Sequence, residues 1–158
     1  MIGPLMKRLA LSAAALALTG CATTPAATPA ATPSYLQQYA AAGSALDAAT
    51  TKWDALGQAL VAANTDTIAN EAPIDAAYEE ALQAFSNALL AIHFPASAKN
   101  DVQALVNAAG AVRNDLAGVA NGAVSTAQFA AHESNLQAAI NVVQQELGLG
   151  SSTPIAGT

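Results

Sequence analysis

Apolar residues recur along this chain at alternating steps of three and four, the spacing that lines them up on one stripe of an α-helix. Four such stripes follow one another. In the first, Tyr39, Leu46, Trp53 and Leu60 repeat every seven residues, with Ala42, Ala49, Leu56 and Ala63 three places later. Ile74, Tyr78, Ala81, Phe85, Ala88 and Ile92 make the second, and Val102, Leu105, Ala109, Val112, Leu116 and Val119 the third. The fourth holds Phe129, His132, Leu136, Ala139, Ile140, Val143 and Leu147. No alternating Val, Ile or Thr runs meet at a tight hairpin turn, so strands are not predicted.

Punctuation between the stripes agrees with them. Ser34, directly after Pro33, can cap the first helix, and Asn64-Thr65-Asp66-Thr67 ends it. Pro73 is expected near the first turn of the second helix, where its missing N–H costs nothing. Pro95 stops that helix and Ser97 can cap the third. Asn121-Gly122 offers a left-handed stop for the third helix, and Gly148 for the fourth. Ser125 with Gln128 reads as a capping box opening the fourth. Short connections make consecutive helices antiparallel neighbours. The expected fold is therefore all-α, an antiparallel up-down-up-down four-helix bundle over residues 34–148. Pairing across the turns predicts three layers. Tyr39, Ile92, Val102 and Leu147 fill one end, and Trp53, Phe85, Leu105 and Ile140 the middle. Leu60, Tyr78, Val112, Phe129 and His132 fill the far end.

Composition sharpens this reading. About a quarter of the chain is Ala, far above ordinary usage and the strongest intrinsic helix former. Ahead of the body, residues 21–33 read CATTPAATPAATP, a Pro-punctuated linker with nothing large enough to pack, so the bundle is expected behind a disordered tether. Residues 149–158 are expected to form a flexible tail.

The first 21 residues carry a different message. Lys7 and Arg8 precede the apolar run Leu9 to Leu18, and Leu18-Thr19-Gly20-Cys21 follows directly. A charged start, a short apolar stretch and small residues at the cut describe a secretory signal over residues 1–20. The run is about half the length needed to span a bilayer. Met6-Lys7-Arg8 reads as a more ordinary signal start than Met1, so translation from Met6 is an alternative. Leu18-Thr19-Gly20-Cys21 resembles the bacterial lipobox. That resemblance implies diacylglycerol on the Cys21 sulfur, cleavage that frees Cys21 as the new N-terminus, and often an N-acyl chain such as palmitate. It implies a lipid-anchored, exported protein of the cell envelope. With Ala22 after the cysteine, a Gram-negative cell would place it at the outer membrane, and a single-membrane cell on the outer face. Lipidation would consume the only thiol, leaving none for a disulfide or a Cys metal site.

Candidate chemistry in the body is sparse. No Glu-x-x-His pair, Cys-x-x-Cys-His or His-Glu-x-x-His occurs, so neither a di-iron, a c-type haem nor a zinc motif is present, and no cofactor is expected. No Gly-x-Ser-x-Gly elbow or Ser-His-Asp grouping suggests nucleophilic catalysis, so an enzyme is not expected. Glu71, Asp75 and Glu79, four apart with Glu80 and Asp66 nearby, predict a solvated acidic face favoured by the helix start. His93 stands beside Pro95 at the end of the second helix. Past the signal, Lys52, Lys99 and Arg113 face 11 acids, a balance that repels nucleic acid and gives no electrostatic grip on anionic lipid. Membrane attachment therefore falls to the acyl group of Cys21.

Two functional expectations follow. One is a non-enzymatic envelope lipoprotein whose bundle contacts another envelope protein or plays a structural role. The other is a carrier or sensor holding a small apolar ligand or haem between helices, with Tyr78, His132 and Arg113 as contacts.

Overall fold

A computed structural model describes residues 34–119 and 123–150, and there the chain is a four-helix bundle with no strand. The lipobox residues Leu18, Thr19, Gly20 and Cys21, the linker, Asn121-Gly122 and residues 151–158 lie outside the described residues.

Helix α1 runs Tyr35–Ala62 and opens with the full capping box. The Gln37 amide donates to Ser34 Oγ at 3.2 Å, and the Ser34 amide donates back to Gln37 Oε1 at 2.8 Å. It ends where Asn64 adopts φ 55°, with Asn64 and Thr65 amides donating to the Val61 and Leu60 carbonyls. This is the left-handed closure that satisfies the last free carbonyls of a helix. Helix α2, Ile68–Ala91, starts earlier than Pro73 suggests. Thr67 caps it, accepting from the Asn70 amide, while the Asn70 side chain donates to the Thr65 carbonyl at 2.8 Å. Thr67 and Asn70 thus fix the start of α2 ahead of Pro73, which falls in the second turn of the helix.

Phe94 and Pro95 carry the chain to a 3-10 turn, Ala96–Ala98, which runs into α3, Lys99–Val119. Ser97 lies inside that turn instead of at the α3 cap. Helix α4 spans Thr126–Glu146. Ser125 accepts from the Gln128 amide as expected, but the Gln128 side chain turns away to Asp115 on α3 at 3.4 Å, so the box is half made. Gly148, at φ 70°, closes α4 with the same left-handed geometry as Asn64.

Most of the large stripe residues are buried, and Leu105, Ala109, Val112, Leu136 and Val143 lose all contact with solvent, whereas Leu56 is exposed. The layers need two corrections. Trp53 stacks on Tyr78 with ring centroids 5.0 Å apart and meets Phe129 at 5.9 Å, so it belongs to the far layer and not the middle. Leu60, expected in that layer, is only half-buried. At 28 residues α1 is the longest of the four helices. At the near end Phe94 adds a core residue outside any helix, edge-on to Tyr35 at 6.3 Å and Tyr39 at 6.2 Å. Packing is also uneven. α1–α2, α2–α3 and α3–α4 lie side by side, whereas no Cα of α1 comes within 8 Å of α4. Ala-rich stripes let the first three pairs close up. Aromatic rings span the fourth.

Two glycines of α3 separate packing from backbone entropy. A Cβ at Gly118 would collide with the side chain of Val124, whereas one at Gly110 meets nothing within 4 Å. Gly118→Ala is therefore expected to destabilise by about 1–3 kcal/mol. Gly110→Ala should stabilise by up to about 1 kcal/mol, because a helical glycine gives up more freedom than alanine. Urea unfolding of the two variants reads both signs.

Candidate functional site

The polar chemistry of the body collects at the end far from Ser34, in two junctions. The first joins α1 to α2. Trp53 Nε1 donates to Asp75 Oδ1 at 2.8 Å, and the Thr50 hydroxyl donates to the Leu46 carbonyl at 3.0 Å while meeting the Tyr78 hydroxyl at 3.2 Å. Asp75 therefore departs from the solvated row expected of it. Its position, three residues before Tyr78, carries it onto the edge of the inward stripe, where the indole N–H reaches it. Burial raises the Asp75 carboxyl above its ordinary range, and the Trp53 bond works in the opposite direction. Nearby, Glu71 is pushed up to about 7, first by burial and then by a shared hydrogen bond and charge repulsion with Asp66. Two neighbouring carboxyls that share a proton hold it more tightly than either alone.

The second junction joins α3 to α4. His132 Nδ1 lies 2.6 Å from Asp115 Oδ2, and Gln128 supplies a second, longer bond to Oδ1. Asp115 retains 5% of its side-chain surface and His132 33%, so the carboxyl is inside and the imidazole bridges it to solvent. Between the junctions, Phe129 reaches Trp53, and Glu133 of α4 interacts with Asp54 of α1. Burial first, then Asp54, pushes the Glu133 carboxyl up to about 7. Tyr78, buried beside both acids, rises to about 12, mainly through desolvation.

The expected contact residues occupy separate places. Tyr78 lines the α1–α2 junction, His132 the α3–α4 junction, and Arg113 is half-buried on α3. No hydrogen bond or ring contact joins the three among the described residues. A shallow cleft of about 160 Å³ does open between α1 and α2, over Trp53 and Tyr78, with Lys52, Leu56 and Ile74 around it. His93 is exposed in the link after α2. Among the described residues no three His, Cys, Asp or Glu side chains converge on a metal position, and no helix is long and apolar enough to cross a membrane.

Asp115, Asp54 and Glu133 were not legible as site residues from the stripes. Asp115 had one available signal: it directly precedes the inward Leu116, at the height of the only inward histidine. Glu133 follows His132 directly and lies four after Phe129, the spacing of a shared helix face. Asp54 adjoins Trp53 but belongs to no stripe.

The arrangement chiefly holds protons and helices in place: the Trp53 indole, the Thr50 and Tyr78 hydroxyls and the His132 imidazole are each spent on another helix or turn. Comparison with protein-family models, with curated proteins and with solved structures found no match in any of the three.

Proposed function

We propose that this chain is an exported bacterial lipoprotein, anchored through acylated Cys21, whose non-catalytic helical body contacts another protein of the cell envelope. The lipobox resemblance supports the anchor. One observation of the body carries the contact: large apolar side chains stand in water around the α1–α2 turn, as Leu90, Val142 and Leu149 also do at the tether end. The chain enters at Ser34, α1 rises about 42 Å at 1.5 Å per residue, and exposed apolar side chains stand at the opposite end. Leu56 and Val61 near the end of α1 are 40% and 46% exposed, and Ile68 at the start of α2 is 60% exposed. Apolar groups left in water away from the tether suit a partner surface.

Palmitate labelling tests the anchor. The intact protein should take up label and sediment with membranes, and Cys21→Ser should do neither. A purified native product that begins at methionine with a free thiol would overturn the reading. For the contact, a photo-crosslinking residue at position 56 or 68 should trap one defined envelope protein in cells, while the same group at exposed Asn100 should not.

The α1–α2 cleft favours a second reading, a carrier for a small apolar molecule held against Trp53 and Tyr78. Native mass with added haem or fatty acid separates the two. A stoichiometric adduct, weakened by Tyr78→Ala or Ile74→Ala, would favour the carrier.

A further inference from the structure

On the carrier reading of the α1–α2 cleft, we propose that its ligand is a small aromatic carboxylate, with one ring against Trp53 and the charge beside Lys52. Small side chains make the opening. Ala49, Lys52, Trp53 and Leu56 share one face of α1, and Ile74, Ala77 and Tyr78 stand opposite on α2. Ala49 and Ala77 stop at Cβ, which leaves a space over the Trp53–Tyr78 pair, whose rings stack 5.0 Å apart at 19°. Size then selects the ring. The opening measures about 160 Å³, and an apolar cavity of about 150 Å³ holds one benzene. A longer molecule would seat one segment there and leave the rest in water. Leu56 and Ile74 supply alkyl walls, and a ring offset against the indole adds a contact beyond the area it buries.

Charge selects the anion. Among the lining side chains only Lys52 is charged. One turn away on α1 stand Ala48, Ala49, Ala55 and Leu56, so no helical ion pair claims the ammonium. No described carboxylate lies within ion-pair distance of it. That is unusual in a body where Lys52, Lys99 and Arg113 face 11 acids. Asp75, beside Ile74, already accepts the Trp53 N–H. An amine in the cleft would meet Lys52 as a like charge, and a neutral ring would gain nothing from it. A carboxylate completes the pair.

Trp53 is the sole tryptophan, so its emission in the full-length chain reports the cleft. Phenylacetate, phenethyl alcohol and phenethylamine carry the same ring with a negative, no and a positive charge near neutral pH. Phenylacetate should change the emission saturably, with a Kd in the millimolar range that a half-open site for one ring allows. It should bind about two- to fivefold tighter than the alcohol, the effect of one exposed ion pair. The amine should bind most weakly, and added salt should draw the three together. Lys52→Gln should bring phenylacetate down to the alcohol and leave the alcohol unchanged. Ala77→Leu, which fills the opening from an exposed position, should remove all binding while Tm holds. Equal affinities for acid and alcohol, or a phenylacetate affinity that survives Lys52→Gln, would overturn the anion and leave the carrier reading standing. No saturable change with any of the three would overturn both. Binding that persists in Ala77→Leu would place the ring elsewhere and overturn the site.

Discussion

Trp53→Ala is expected to cost about 3–5 kcal/mol of folding free energy, the range for deleting a large buried aromatic. At 8% exposure the indole is buried against two rings, and its N–H is the donor that satisfies Asp75 inside the α1–α2 junction. The alanine variant opens a cavity and strands a half-buried carboxyl together, two penalties that add. In a domain of this size the fall in Tm should exceed about 10 °C. Trp53→Phe divides the effect. It keeps most of the stacking but loses the N–H, so it should cost about 1–3 kcal/mol, the penalty of an unsatisfied polar group. Phe85→Ala provides the comparison. That ring is buried with no polar role, and its loss should cost about 3–5 kcal/mol through the cavity alone. Calorimetry on the three variants decides the matter. An unchanged Tm for both alanine variants would mean that neither ring belongs to a packed core.

The stripes made the four helices readable because their period is imposed by burial itself, and Ser34, Thr65 and Gly148 mark ends through backbone chemistry that is local in sequence. Heights along the bundle are not local. Trp53 was expected opposite Phe85, yet it meets Tyr78, because the start of α2 is set by Thr67 and Asn70 and not by Pro73. Moving that start by a turn changes which residues face each other across the α1–α2 pair. Phe94 escaped for the opposite reason: it sits in a link with no period at all, and only the fold brings it onto Tyr35 and Tyr39.

Polar partners were the least readable part. His132 showed itself as inward, but its environment depends on Asp115 lying 17 residues away on another helix. The Gln128 side chain shows the competition involved. Sequence spacing assigns it to its own cap at Ser125, and the buried Asp115 carboxyl draws it across instead. The cap's exposed N–H can use water as a substitute acceptor, whereas a buried carboxyl has no water to donate to it. The same asymmetry explains why the acids at the far end divide into two kinds. Glu80 points to solvent, while Asp75, Asp115 and Glu133 are partly or fully enclosed.

His132→Ala is the second large effect expected. Removing the imidazole leaves the Asp115 carboxyl with only the 3.4 Å contact from Gln128. Breaking a fully buried pair from one side costs about 3–5 kcal/mol. Here a third of the histidine is exposed and water can follow it out, so about 2–3 kcal/mol is expected. A double-mutant cycle separates the lost bond from the stranded group. Asp115→Ala combined with His132→Ala removes both partners, and it should cost about 1–3 kcal/mol less than the sum of the two single changes. Additive losses would mean that the 2.6 Å contact contributes nothing beyond packing. The cycle also weighs the two functional readings against each other. A structural histidine loses stability with its partner and shows no ligand dependence. A His132→Ala variant that kept its Tm but lost an added haem or fatty acid would instead make the imidazole a ligand contact, with Asp115 as the group that orients it.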